Sequence, residues 1–180
     1  METNYIEKNV RQRLIVAGIN ELEERGIRDF SLRRAALRAE VSCAAPYRHF
    51  KDKEEFISEI IKYISSKWML LCHEVEKVFS SDKRRLIIEL AVSNLRFWLA
   101  NKNYRSVLMN VSSSAVSVLD DFDAPLLRAV EEWCEAEGVD KETKKFTVRA
   151  LLYGSVMMTT AEASATELPT LLRRELEEVF

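Results

Sequence analysis

The chain has 180 residues, of which 47% are hydrophobic and 31% charged, and it contains only 4 glycines and 3 prolines. A chain so poor in turn-forming residues favours an all-helical protein over sheet architectures. The net charge is −2, but residues 1–53 carry 11 Lys and Arg against 8 Asp and Glu, whereas residues 54–180 carry 16 against 21. A basic head on an acidic body predicts that only the head contacts phosphate groups.

No segment that would direct the chain to a membrane is predicted. No apolar run approaches the ~18 residues that span a bilayer. The polar start METNYIEKNVRQR lacks the apolar core of a signal peptide. We therefore expect a cytoplasmic protein with no membrane partner.

The cysteines Cys43, Cys72 and Cys134 lie far apart in the sequence. Their odd number, with no CxxC pair, argues against a disulfide framework. Buried or incidental thiols are the simpler interpretation. A redox-sensing thiol remains the alternative, with Cys43 as its candidate.

The first predicted helix covers residues 5–25, where apolar residues recur at near-helical spacing. Gly26 is predicted to end it. Ser31 is predicted to cap a short helix that reaches about Ala39, and the next two residues form a turn.

A second short helix is predicted over residues 43–49, with Ser42 as its cap and Pro46 one turn inside it. Asp52 is predicted to cap a long helix over residues 53–79, in which apolar residues again recur at helical spacing. The two short helices are thus framed by two longer ones.

Five further helices are predicted beyond a linker at residues 80–82, with Pro125 in the first turn of the third. They cover residues 83–101, 104–118, 124–137, 141–165 and 168–180. The prediction is therefore an all-α chain of about nine helices, in which a long helix joins a small head to a helical body.

The segment SLRRAALRAEVSCAAPYRHFKDKEEF, residues 31–56, carries the strongest functional signal. Leu32, Ala36 and Ala39 form a narrow apolar stripe on the first short helix, and small side chains there let a second helix cross closely. Tyr47 and Phe50 are predicted to anchor the second helix. Two helices this short are not stable alone, so they are expected to pack on the neighbouring long helices.

The outer side of the second helix is predicted to be exposed and rich in small residues, which lets its backbone enter a DNA major groove about 12 Å wide. The exposed residues are predicted to be Ser42, Cys43, Ala44, Ala45, Arg48 and His49. Basic residues flank this surface, well placed for phosphates; they are Arg33, Arg34, Lys51 and Lys53.

This segment resembles the DNA-binding head of the TetR family of repressors, most strongly over residues 9–60. The resemblance rests on Gly26-Ile27, on Phe30-Ser31-Leu32, on Val41-Ser42 and on the block from Tyr47 to Phe56, in which Tyr-x-His-Phe is followed by Lys-x-Lys-Glu-x-Phe. It implies a three-helix helix-turn-helix DNA-binding domain, residues 1–53. A helical ligand-binding and dimerisation domain, residues 54–180, would follow.

The resemblance also implies roles for individual residues. Leu32 and Arg33 would open the second helix near phosphates, and Lys53 would lie beside another. Cys43, Ala44 and Ala45 would lie where base edges are usually contacted, and Tyr47 and His49 would contact the backbone. Three residues depart from the family pattern: Glu40 in place of the turn glycine, Pro46 in place of a leucine and Ala35 in place of a larger apolar residue.

A homodimer is implied by the resemblance and has some independent support. The predicted helix 141–165 carries small residues at about four-residue spacing and is apolar around much of its circumference, which suits a two-fold interface. Helix 124–137 is the expected second half of that interface. Ordinary packing within one subunit is the alternative.

An effector pocket is also implied, and apolar residues of the middle helices are its candidates. They are Trp68, Cys72, Phe97, Trp98, Met109, Phe122 and Met157, with Asn94, Ser112 or Tyr153 to orient a ligand. Aromatic and methionine residues at helical spacing also fit a plain core, which remains the alternative.

The function expected from these observations is that of a dimeric repressor, released from a palindromic DNA operator by a small, largely apolar ligand. The alternative is a helical interaction protein with a degenerate head, because Cys43-Ala44-Ala45 offers few hydrogen-bonding groups. An enzyme is not expected, since Cys72-His73-Glu74 would splay around a helix. No cofactor or metal is expected.

Overall fold

A computed structural model describes residues 2–104, 115–158 and 164–180 of the chain. Within these ranges all the regular structure is helical, and no strand occurs. The helices are α1 (Glu2–Arg25), α2 (Leu32–Arg38), α3 (Pro46–His49), α4 (Lys53–Phe79), α5 (Lys83–Ala100), α6 (Ala115–Glu137), α7 (Lys141–Met157) and α8 (Ser164–Val179). Residues 102–104 are helical as well. The predicted all-α fold is confirmed.

Several helix ends are where the capping residues predicted them. Gly26, at φ +69°, ends α1. The Ser31 hydroxyl accepts the amide of Arg34 at 3.4 Å. The Asp52 carboxylate accepts the amide of Glu55 at 2.8 Å. These side chains satisfy amides that have no partner inside their helix.

The second short helix starts later than predicted. It begins at Pro46 rather than Cys43, and the residue before it, Ala45, makes no side-chain cap. Ser42 contributes its carbonyl, which accepts the Ala45 amide at 2.9 Å, and its hydroxyl does not cap α3. Proline fits the first helical position, because its missing N–H would have no partner there and its φ is already helical.

The predicted break before Pro125 is wrong, because α6 runs without interruption through the proline. Proline removes one hydrogen bond and crowds the preceding turn, which bends a helix more readily than it ends one when packing holds both halves. α7 ends at Met157 and α8 already begins at Ser164, so the predicted 141–165 helix is too long. The predicted 104–118 helix lies largely outside the described residues.

The chain divides into two compact units, as far as its residues are described. The first consists of residues 1–66 and 103–118, and the second of residues 67–102 and 119–180. α4 therefore contributes to both units. No helix in the described part of the chain is long and apolar enough to cross a membrane.

The first unit has a core shared by α1, α2 and the beginning of α4. Gly18 permits the close approach of α1 to α4, because a Cβ there would lie 2.7 Å from Ile60 Cδ1. Phe56 packs between Phe50, at 4.2 Å between ring centroids, and Phe30, at 5.6 Å. The packed surface of α1 and the beginning of α4 supports the two short helices, as predicted.

The second unit is a helical bundle of the end of α4 with α5 to α8. Its largest fully buried side chains include Trp68, Trp98 and Phe122. A forked ion pair joins α8 to α5, with Arg173 Nη1 and Nη2 lying 2.7 and 2.8 Å from the two carboxylate oxygens of Glu89.

Candidate nucleic-acid interface

Small side chains seat α2 directly on α1. Ala35 and Ala36 are completely buried, and Ala39 is 5% exposed. Leu32 is buried beside them at the start of the helix. The predicted apolar stripe is therefore confirmed, and it leaves the opposite side of α2, including Arg33, turned to solvent.

The turn after α2 keeps the left-handed backbone that usually calls for glycine. Glu40 has φ +53°, which costs a residue with a side chain on the order of 1 kcal/mol. The Val41 amide closes the turn onto the Ala36 carbonyl at 3.0 Å. Arg13 supports it, because its guanidinium donates to the Ala39 carbonyl and lies 3.6 Å from the Glu40 carboxylate. The substitution of glycine by Glu40 has therefore not removed the turn.

The surface that follows the turn is exposed but shorter than predicted. Ser42, Cys43 and Ala44 are exposed, whereas Ala45 is buried, at 8% exposure. Ala45 therefore does not belong to the exposed surface. Its burial follows from the late start of α3, which turns the residue before Pro46 inward.

α3 is anchored differently from the prediction. Tyr47 is 64% exposed and cannot be an apolar anchor, whereas Pro46 and Phe50 are buried. Arg48 is exposed, and His49 is half-buried. The exposed phenol of Tyr47 beside Arg48 is an arrangement that suits contact with another molecule.

The four basic residues predicted to flank the surface fall into two groups. The side chains of Arg33 and Lys51 are exposed and make no hydrogen bond or ion pair with the described residues, which is also true of Arg48. Arg34 instead lies 2.5 Å from Glu21 through Nε, and Lys53 donates to the Arg28 carbonyl at 3.2 Å.

Sequence reasoning missed Glu21 as a structural element of the head. Its carboxylate is 1% exposed and lies within reach of two arginines of α2. The available signal was an acidic residue one turn after Ala17 on the apolar side of α1.

Most of the predicted effector residues meet in the second unit as an aromatic cluster. Trp68 stacks on Phe122 at 5.3 Å between centroids, and Phe97 and Trp98 lie 5.7 and 4.6 Å from Phe122. All four are buried, as is Cys72. Met157 is 56% exposed and does not belong to this cluster, and Met109 lies outside the described residues.

Asn94 is a buried polar residue of α5, three positions before Phe97. It is 1% exposed, and neither Oδ1 nor Nδ2 hydrogen-bonds to any described residue. Tyr153, another predicted orienting group, donates its hydroxyl to Asp123 at 2.8 Å. Ser112 lies outside the described residues. The Cys72-His73-Glu74 run splays as predicted, because Cys72 is buried and its two successors are exposed.

A pair of short helices seated on a longer one, with an exposed turn and basic side chains around it, defines a helix-turn-helix DNA-binding head. Residues 14–60 match the family model described as bacterial regulatory proteins, tetR family. No curated protein matches the chain by sequence. Residues 14–60, which contain the two short helices and the turn between them, are therefore similar to the regulatory proteins of the tetR family.

Solved structures share the fold over nearly the whole chain. A transcriptional regulator from Aquifex aeolicus VF5 is 21% identical, with a TM-score of 0.77, and the match covers 95% of this chain and 99% of that one. The regulator FadR from Bacillus subtilis, in complex with stearoyl-CoA, is 14% identical with a TM-score of 0.74 over 92% and 96%. RolR, in complex with resorcinol, is 15% identical with a TM-score of 0.61 over 96% and 89%.

Proposed function

We propose that this DNA-binding regulator is a dimeric repressor that binds a palindromic operator and is released by a small, largely apolar ligand. The observation that carries the proposal is the exposed surface after the α2 turn, where Cys43, Ala44, Tyr47 and Arg48 are open to solvent. Residues 1–53 would bind DNA in the cytoplasm, and residues 54–180 would bind the effector and a second subunit.

The exposed side chains divide by chemistry into two kinds of contact. Arg33 and Lys51 suit phosphates, as do Tyr47 and the edge of His49. Arg48 and Ser42 are the groups able to hydrogen-bond base edges, and Cys43 and Ala44 offer apolar contact with thymine methyl groups. We call Ser42, Cys43, Ala44 and Arg48 the reading surface. Because this surface has few hydrogen-bond donors and acceptors, DNA shape and half-site spacing would carry much of the specificity.

Dimerisation is proposed through α7 and α8. Ala150 and Gly154 of α7 and Met158, the residue after it, are exposed rather than used in the subunit's own core. With Leu168 and Leu171 of α8 they line a groove of about 360 Å³. An exposed apolar groove with small residues suits close helix packing against a second copy.

The predicted contribution of helix 124–137 to this interface changes. Leu126, Val130 and Cys134 of α6 are buried within their own unit. They are therefore not available to a partner, whereas Leu127 and Trp133 of the same helix are half-buried, so the proposal moves the second half of the interface to α8. Two heads about 34–36 Å apart would then read the two halves of a palindrome.

An effector is proposed at the aromatic cluster around Phe122. Two proteins of similar fold were solved with ligands that have a large apolar part, the acyl chain of stearoyl-CoA and the aromatic ring of resorcinol. The amide of Asn94, which hydrogen-bonds to no described residue, supports a ligand that carries one polar group able to donate and accept. Binding would shift the population towards a state with a different spacing of the two heads.

The test begins with selection of bound fragments from the host genome, which supplies the operator. Replacing both Arg33 and Tyr47 by alanine should weaken operator binding by at least about tenfold. The control is Lys77→Ala, which removes an exposed lysine of α4 that pairs only with Glu74 among the described residues. Unaltered affinity of the double variant would reject the contact assignment.

The second candidate is a helical interaction protein whose head binds DNA poorly, and the plain Cys43-Ala44 surface favours it. Selection that enriches no sequence, together with gel shifts no stronger than non-specific binding, would support this candidate over a repressor.

A further inference from the structure

We propose that Glu21 is a positioning residue for DNA binding. Its buried carboxylate on α1 holds Arg34 and Arg38 of α2. Of the three arginines on α2, this leaves Arg33 alone to meet a phosphate.

The geometry is that of a buried acid with two cationic partners on one helix. Glu21 is 1% exposed, Arg34 Nε lies 2.5 Å from its Oε1, and Arg38 Nη2 lies 3.7 Å from its Oε2. Each arginine has a further partner. Arg34 donates to the Asp29 carbonyl through Nη2, and Arg38 makes a forked pair with Glu24 at 2.7 and 2.5 Å.

Arg34 therefore joins three segments of the head: α1, the loop after it, and the first turn of α2. A guanidinium reaches two acceptors at once because its donors form a rigid planar fork, which the single ammonium of lysine cannot reproduce. Withdrawing Arg34 towards DNA would leave the Glu21 carboxylate with a buried charge and one distant partner, which is strongly unfavourable.

Arg33 differs from Arg34 in its partners. Both side chains are exposed, and they point about 100° apart around α2, but Arg33 makes no ion pair or hydrogen bond with the described residues. The two adjacent arginines thus have separate tasks, since Arg34 sets the orientation of α2 on α1. α2 leads through the turn at Glu40 into the exposed residues from Ser42, so its orientation determines where the reading surface lies.

The test measures how operator affinity depends on salt, because each phosphate contact adds about 0.9 to the slope of log K against log salt. The probe is the fluorescein-labelled duplex selected from the host genome. Arg33→Ala should lower the slope by about that amount and leave Tm unchanged. Arg33→Lys should restore the slope, because lysine also binds phosphate.

The Arg34 and Glu21 variants should behave in the opposite way. Arg34→Ala, Arg34→Lys and Glu21→Gln should each weaken operator binding by about tenfold or more at an unchanged slope. Each should also lower Tm by about 5 °C or more, because each disrupts the ion pair that the buried Glu21 carboxylate makes with the half-exposed Arg34. The Glu21→Gln/Arg34→Lys double variant should be little worse than either single variant, because the two act through one contact.

Three results would overturn the inference: Arg34→Lys matching the wild type in affinity and Tm, Arg34→Ala lowering the salt slope as Arg33→Ala does, or a fall in Tm with operator affinity unaltered. The inference requires that the head binds DNA. A wild-type protein that binds no selected duplex would instead reject the proposed function, and the Tm values would still report whether Glu21 holds α2.

Discussion

Trp68 and Phe122 are joined twice, once through their rings and once through the backbone. The rings stack at 5.3 Å with an interplanar angle of 12°, and the indole Nε1 donates to the Phe122 carbonyl at 2.7 Å. Both side chains are buried. This pair ties α4 to α6 about one turn before Pro125.

Replacing Trp68 by phenylalanine should therefore cost more than the lost ring area alone. The Phe122 carbonyl would lose a buried partner, so the free energy of unfolding should fall by about 2–4 kcal/mol. Urea denaturation followed by circular dichroism measures it. The control is Trp133→Phe, at a half-buried tryptophan that meets Phe180 edge-on at 5.0 Å, where a clearly smaller loss is expected. Equal losses would argue against a special role for the Trp68 bond.

The ion pair between Glu89 and Arg173 predicts a pH-dependent contribution to stability. The hydrogen bonds and charge of Arg173 hold the pKa of Glu89 below its usual value of 4.5. A carboxyl whose pKa is lower in the folded chain stabilises it above the unfolded pKa, and this stability is lost as pH falls through the folded pKa. Glu89→Gln should therefore cost about 1.5–3 kcal/mol at pH 7.

The cost of Glu89→Gln should shrink progressively when unfolding is measured below pH 4.5, because the wild-type carboxyl then takes up its proton. The control is Glu175→Gln, whose carboxylate pairs with Arg174 on the exposed surface of the same helix, α8. It should change stability by less than about 1 kcal/mol at either pH. A Glu89→Gln cost that is independent of pH would contradict the ionic origin.

The head could be predicted from sequence in detail, whereas the body could be predicted only in outline. Ser31, Asp52 and Gly26 are local signals whose physics acts within a few residues, so the helix ends they predict are confirmed. Pro46 led to a predicted helix start three residues too early, because proline fits more than one position in the first turn of a helix. The observed start at Pro46 goes with the burial of Phe50, and burial depends on tertiary packing rather than on neighbouring residues.

The site was predicted as a set of exposed residues, and two of its assignments depended on tertiary packing. Tyr47 was predicted to be buried and is exposed, and Ala45 was predicted to be exposed and is buried. Both differences arise because α3 is one short turn rather than two. Arg34 is drawn to a buried acid on another helix, which spacing along α2 cannot reveal. In the body, Pro125 is typical of a helix start, yet α6 continues through it.

Asn94 predicts a stabilising substitution, because its buried amide hydrogen-bonds to no described residue. Such an amide costs roughly 1–3 kcal/mol, and leucine has a similar shape, so Asn94→Leu should raise the free energy of unfolding by about that amount. Thermal unfolding measures the change, and Asn101→Leu is the control, because the Asn101 amide donates to the Phe97 carbonyl at 2.8 Å. A loss of stability in Asn94→Leu would mean that the amide already has a partner in the folded protein.

The three thiols should react at very different rates. Cys43 is exposed, whereas Cys72 and Cys134 are buried. Burial raises the pKa of Cys72 to about 12 and also raises that of Cys134. Since the thiolate is the reactive form, iodoacetamide at neutral pH should label Cys43 first, as intact-mass spectrometry would record. Fast labelling that persists in Cys43→Ser would contradict this order.

Labelling Cys43 should also weaken operator binding, because the added carbamidomethyl group would lie between the exposed Ser42 and Ala44 and obstruct contact with DNA. Cys43→Ser should bind DNA within about threefold of the wild type and lose its sensitivity to the reagent. If labelled protein binds the operator as well as unlabelled protein, Cys43 does not face DNA, and a redox-sensing role at this thiol is excluded with it.

The turn at Glu40 predicts a stabilising substitution. Its φ of +53° suits glycine, so Glu40→Gly should relieve a conformational cost that exceeds the extra entropy of glycine in the unfolded chain. The expected gain is about 0.5–1 kcal/mol, measured by urea denaturation. The control is Ala39→Gly, one residue earlier at φ −78° and buried on α1, which should lower stability by at least about 0.5 kcal/mol. If Glu40→Gly also lowered stability, the ion pair of Glu40 with Arg13 at 3.6 Å would outweigh the backbone cost.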